Sequence, residues 1–273
     1  MKKILAIVAL LSVLTVKGQQ SYFDGKSLVC GSNNETALER MTFGLVLLRN
    51  NYDNSNDTYR KSTRLFIDAI EKDTLCCDAY FLAGYSLRLQ NQWKEALTFY
   101  YVADSLSGNQ SSLFKLNMAV AAMNVGLTDL ARKKYNEMVR FFPKDPEGFY
   151  GVALTSLFIK DFDNGLLAIE RAIQNYKIAR KPVNDDANFL KAMLLSHAGK
   201  YELAKEYFEQ IKDTFKDRDQ YNAYYSYTLV KLSEQQNDEK LLKKAMKIYN
   251  KINNKDEIPD DIADAFNFSA LKD

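Results

Sequence analysis

Hydrophobic and polar residues alternate with a helical period along most of this 273-residue chain. In GKYELAKEYFEQI, residues 199–211, the apolar stripe is Tyr201, Ala204, Phe208 and Ile211, at i, i+3, i+7 and i+10. Glu202, Lys205, Glu206 and Glu209 lie between them. A small alanine thus stands inside an aromatic stripe, and the arrangement recurs. Ala96 precedes Tyr100, Ala131 precedes Tyr135 and Gly165 precedes Ile169, each by four residues. Three residues further on come Ala103, Met138, Ala172 and Ile211. Twelve residues before each small residue sits another: Gly84, Ala119, Ala153 and Ala192. Both series advance in steps of 35, 34 and 39.

That period predicts pairs of antiparallel helices of about 12 to 15 residues joined by a short turn. Helices in so short a hairpin approach closely, and their crossing point admits only Gly, Ala or Ser. Asn91, Gly126, Asp161 and Gly199 fall where the turns belong. One hairpin cannot bury its apolar face alone, so hairpins must stack.

The pattern resembles the tetratricopeptide repeat (TPR) family. The matching positions in residues 77–110 are Tyr80, Gly84, Ala96, Tyr100 and Ala103, and in 112–145 they are Ala119, Ala131, Tyr135 and Pro143. In 146–179 they are Phe149, Ala153, Phe162, Ile169 and Ala172, with Gly165 where the family prefers Ala; in 185–218 they are Ala192, Tyr201, Ala204 and Phe208. Divergent hairpins are expected at 35–73 and 220–252, and a capping helix at 259–272 begun by Pro259, Asp260 and Asp261. Ser32 with Glu35 reads as a capping box for the first helix. The resemblance therefore implies an all-α, right-handed superhelical solenoid of about six hairpins, continuous over 35–273.

Composition adds a compartment. A basic start, the apolar run ILAIVALLSVLTV and small residues near Gly18 describe a secretory signal over 1–18, followed by an extension over 19–34. The run is too short for a bilayer span of roughly 20 residues. A periplasmic, secreted or envelope-associated protein is expected, with no stable span in the mature chain. Cleavage removes Lys2, Lys3 and Lys17, which leaves 34 basic against 35 acidic side chains. Dispersed, balanced charge argues against nucleic acid as a partner. Export permits disulfides. Cys30 can pair with Cys76 or with Cys77, or all three cysteines can pack as small residues.

Catalytic constellations are missing. The single histidine, His197, excludes paired-histidine metal motifs, and no nucleophile elbow, phosphate-binding loop or dinucleotide fingerprint occurs. Acidic pairs such as Asp185-Asp186 precede helices, where a carboxylate suits the helix dipole. No enzyme activity and no cofactor or metal are expected. Lys243, Lys247 and Lys251 make a basic stripe that reads as a solvated helix face or a site for an acidic partner.

In the TPR family, the first helix of each repeat lines a concave peptide-binding face. Carried over by position, the groove candidates are Phe81, Tyr85 and Arg88; Leu116, Val120 and Met123; Tyr150, Leu154 and Phe158; and Phe189, Met193 and His197. His197 reads equally as polar lining or as a satisfied hydrogen-bonder. Phe81 and Tyr85 stand where a carboxylate clamp would need Lys and Asn, so an apolar or helical segment of a protein partner fits better. The same residues can pack between first helices, or the chain's own Gln19–Gly31 can fill the groove. A carbohydrate-binding or accessory role in an envelope complex is the alternative, and self-association is compatible with either.

Overall fold

The computed structural model describes residues 22–23, 27–179 and 185–269, and every regular element among them is a helix. The expected signal 1–18 and residues 180–184, between the repeats expected at 146–179 and 185–218, lie outside those residues. The described chain falls into two compact units, one within Leu11–Pro143 and one within Lys144–Asp273.

The first unit holds α1 (Glu35–Arg49), α2 (Asn56–Lys72), α3 (Cys77–Leu89), α4 (Trp93–Leu106), α5 (Ser112–Asn124) and α6 (Thr128–Phe141). The second holds α7 (Pro146–Ile159), α8 (Phe162–Ile178), α9 (Asp185–His197), α10 (Tyr201–Gln210), the short α11 (Lys212–Phe215), α12 (Asp219–Gln236), α13 (Glu239–Tyr249) and α14 (Asp260–Ser269). Within each unit, helices that are neighbours in the chain pack against each other as hairpins. No helix among the described residues is long and apolar enough to cross a membrane.

The small residues sit where their spacing puts them. Ala96, Ala119, Ala131, Ala153, Ala192 and Ala204 have no exposed surface. At Gly84 an added Cβ would lie 2.9 Å from the Tyr100 ring and 3.1 Å from the Ala96 carbonyl oxygen, which is the close crossing of α3 and α4.

The turns repeat as faithfully. Asn91, Gly126, Lys160, Gly199 and Asn237 all have positive φ. The next residue in each case donates its N–H to the carbonyl five positions back: Gln92 to Leu87, Leu127 to Ala122, Asp161 to Ser156, Lys200 to Leu195 and Asp238 to Ser233. This is the Schellman closure, which satisfies carbonyls left open at a helix end. The left-handed residue of the third turn is Lys160, at φ 60°, rather than Asp161, which follows it.

The first helix also starts differently from expectation. Asn34 caps α1 by accepting from the Ala37 N–H, while Ser32 is drawn off to Asp73 and accepts from the Asn34 N–H. Ser32 stands two residues too early to reach the open N–H groups of the first turn.

First and second helices differ in burial for a geometric reason. A first helix lies between its own partner and the neighbouring hairpins, so α5 buries Phe114, Met118, Ala119, Ala121 and Ala122 among others. A second helix keeps one face to solvent, and α6 buries only Ala131, Tyr135 and Met138.

Candidate interaction site

Seven of the twelve predicted groove residues are buried: Phe81, Val120, Met123, Tyr150, Leu154, Phe189 and Met193. Tyr85, Arg88, Leu116, Phe158 and His197 are half-buried and keep surface to offer.

In the first unit the cover is the chain itself. Tyr22 packs edge-on against Phe81, with ring centroids 5.3 Å apart, and Phe23 lies 4.4 Å from the Tyr85 ring. Phe81 also stacks on Phe114 of α5 at 4.4 Å. Asp78, in the first turn of α3 and fully buried, holds the segment by its backbone. Its Oδ1 accepts from the Tyr22 hydroxyl at 2.8 Å and the Val29 N–H at 2.9 Å; its Oδ2 accepts from the Cys30 and Gly31 N–H groups at 2.8 and 2.9 Å. Four donors to one carboxylate at a helix N-terminus make a strong, directional anchor. Burial, reinforced by the neighbouring Asp78, pushes the Tyr22 phenol well above its ordinary range. A disulfide from Cys30 to Cys77 locks the anchor, while Cys76 stays a buried free thiol that burial pushes up to about 11. Among the described residues, Cys30, Cys77 and Asp78 are the grouping closest to a metal ligand set, but its sulfurs are bonded to each other.

Beside this strap, Arg88 lies over the Tyr85 ring at 4.8 Å, and both keep partial exposure. The open part of the α3 face is therefore a cation and an aromatic ring next to an already seated segment.

In the second unit Phe189 and His197 pack among rings. Phe189 of α9 meets Phe208, Phe215 and Tyr221 at 6.1, 5.0 and 6.2 Å. His197 stacks on Phe162 at 5.1 Å and faces Tyr224 and Tyr227 at 5.6 and 5.7 Å. Its Nδ1 lies 3.6 Å from Asp261 Oδ2 of α14. Burial holds the imidazole below its ordinary pKa; Asp261 pulls the other way and Lys160 adds to the depression. His197 is thus a packed, neutral ring.

A second polar centre escaped the pattern reading. Lys115 Nζ, 1% exposed at its side chain, sits 2.9 Å from Asp104 Oδ1 and 2.8 Å from Glu137 Oε2. Lys134 bridges the same two acids at 2.7 and 2.9 Å. Burial works against charge at Glu137, yet hydrogen bonds from Lys115 and Lys134 hold its carboxyl below the usual range. The signal was present: Lys115 is the only charged residue in SLFKLNMAVAAMN. This network ties α4, α5 and α6 together and offers no open atom for chemistry.

The comparisons with known proteins agree with this geometry. The sequence profile of the tetratricopeptide repeat matches residues 186–218. None of the curated proteins matches the sequence. Solved structures do resemble it. MamA from position 41 to its end, from Desulfovibrio magneticus RS-1, is 13% identical, covers 69% of this chain and 99% of its own, and superposes with a TM-score of 0.58. A tetratricopeptide repeat protein from Parabacteroides merdae ATCC 43184 is 15% identical over 78% of this chain and 80% of its own, at 0.60. YrrB, described as a TPR protein with an unusual peptide-binding site, is 19% identical over 67% of this chain and 91% of its own, at 0.54. Identities this low speak for the fold alone; the chain has the fold of tetratricopeptide-repeat proteins over these alignments and resembles the repeat in sequence over 186–218.

Proposed function

We propose that this protein is a non-catalytic, exported scaffold that takes an extended segment of a protein partner on the α3 face of its first unit. The observation that carries the reading is the strap. The α3 face already holds residues of the chain itself, Val29, Cys30 and Gly31 through backbone N–H groups on Asp78, and Tyr22 and Phe23 through rings on Phe81 and Tyr85. Main-chain hydrogen bonds supply affinity without sequence demands, and ring contacts add selectivity. Tyr85 and Arg88 continue the same face and stay partly exposed, as does Leu116 on α5. A partner segment carrying an aromatic or aliphatic side chain and a carbonyl or carboxylate would extend the strap along them. YrrB, with its peptide-binding site, shares the fold. Export is supported by the signal-like residues 1–18 and by the Cys30–Cys77 bond, since disulfides persist in oxidising compartments.

The test is affinity capture from envelope extract with the full chain and with a Tyr85→Ala, Arg88→Ala variant. A partner held by the wild type should be lost from the variant while helical circular dichroism is retained. Equal capture by both removes the α3 face from consideration.

A further inference from the structure

In the second unit, four lysines surround one cleft. Lys212, Lys244, Lys247 and Lys251 line a cavity of about 500 Å³ together with Glu209, Tyr225 and Ile248. That size lies in the usual range of ligand sites, roughly 300–1,000 Å³. The sequence concentrates the charge there: α13, EKLLKKAMKIY, carries four lysines against Glu239 alone, and Lys251 follows one turn after Lys247.

The base of the cleft is preset. The buried Tyr225 donates its hydroxyl to Glu209 Oε1 at 2.8 Å. Lys244 Nζ lies 3.0 Å from the same oxygen and donates to the Tyr225 hydroxyl oxygen at 2.8 Å. Burial opposes charge at Glu209, but these hydrogen bonds keep its carboxyl below the ordinary range. Glu209 and Lys244 therefore cancel. Lys212, Lys247 and Lys251 make no ion pair with any acid among the described residues, which leaves three positive charges around an apolar floor of Ile248 and the Tyr225 ring. Like charges one turn apart repel, so an anion that sits between them relieves repulsion as well as gaining attraction.

We propose that this cleft binds an acidic segment of a protein partner, with carboxylates on Lys212, Lys247 and Lys251 and an intervening apolar side chain on Ile248. Lysine is a compact point charge on a flexible stem that attracts carboxylates and phosphates alike, so the floor of the cleft decides between them. The apolar floor gives a peptide a contact that a bare phosphate cannot use. The site lies in the second unit and stands independently of the α3 face.

The experiment measures fluorescence anisotropy of a labelled Glu-Glu-Leu-Glu-Glu peptide with the full chain. Binding should weaken about tenfold in Lys247→Glu, Lys251→Glu, as two exposed ion pairs become repulsive, and should weaken as salt is raised. Lys247→Gln, Lys251→Gln should lose less, and Lys133→Glu on α6 should lose nothing. A Gln-Gln-Leu-Gln-Gln peptide should not bind. The proposal is overturned if the acidic peptide does not bind, if its affinity is the same in the double variants, or if inorganic phosphate displaces it at equal concentration. Binding of phosphatidylglycerol vesicles through the same lysines, without peptide binding, would assign the cleft to a membrane instead.

Discussion

The first hairpin of the first unit, α1–α2, is enclosed by the Cys30–Cys77 bond, and the segment leading into that bond is pinned on Asp78. The last hairpin of the second unit, α12–α13, meets α14 instead, where Phe266 stacks on Tyr249 at 3.8 Å and Asp261 approaches His197. The interiors differ in the same sense. The first unit buries a four-membered ion network around Lys115, and the second buries rings around Phe189 and His197. Both units pack rings, and the first adds a covalent bond and a buried ion network that the second, among the described residues, closes without. A repeat needs small residues at its crossings, but how its ends are covered is left free.

The contrast can be broken from either side, and Trp93, the only tryptophan, reports on the first unit alone. The largest effect is expected from Lys115→Ala, which removes the most buried cation and leaves Asp104 and Glu137 to share Lys134 alone. Urea denaturation followed by Trp93 fluorescence should show a loss of about 3–5 kcal/mol, and Lys115→Ala with Asp104→Ala should recover part of it. Cys30→Ser should cost the first unit about 2–4 kcal/mol, and a reductant should reproduce that shift in the wild type only. In the second unit, Ala204→Trp overfills a crossing with no exposed surface and should lower stability by about 1–3 kcal/mol in thermal circular dichroism. An unmoved melting curve would place the helix crossing elsewhere. Lys160→Gly should gain about 1 kcal/mol, because only glycine takes φ 60° without cost.

The smallest expected effect is a pH dependence confined to the second unit. The folded His197 ring holds its proton less tightly than the ordinary 6.5, so the unfolded chain protonates first. Stability is intact above about pH 6.5 and falls as pH drops below it, down to the lower folded value. His197→Gln should flatten the slope, and the Trp93 transition between pH 7.5 and 6 should stay level in both proteins.

The fold was legible because its constraint is local and repeated. Gly84, Ala119, Ala153 and Ala192 must be small wherever two helices touch, and that requirement returns at nearly constant intervals. Turn chemistry was legible for Asn91, Gly126 and Gly199, whose residue types favour positive φ, but not for Lys160, which adopts it under the closure of its neighbours. The site was less legible. Phe81 and Tyr85 occupy one helix face four residues apart, yet Tyr22 covers one and leaves the other partly open. Nothing periodic connects Tyr22 to Asp78 across 56 residues. Cysteine spacing left Cys76 and Cys77 equivalent; their helical positions do not, since Cys77 begins α3 beside the strap and Cys76 turns into the core.

The bond between Cys30 and Cys77 also sets how the chain carries a load. Tension applied ahead of Cys30 crosses the bond and enters α3 directly, over a Cα separation of 5.7 Å. The hairpin α1–α2 lies inside the bypassed loop of sequence separation 47 and feels none of the pull. About 160 Å of extended contour is kept out of reach of stretching until the bond is reduced. A molecule held by its N-terminal end would present α3, with its aromatic face, as its first force-bearing element.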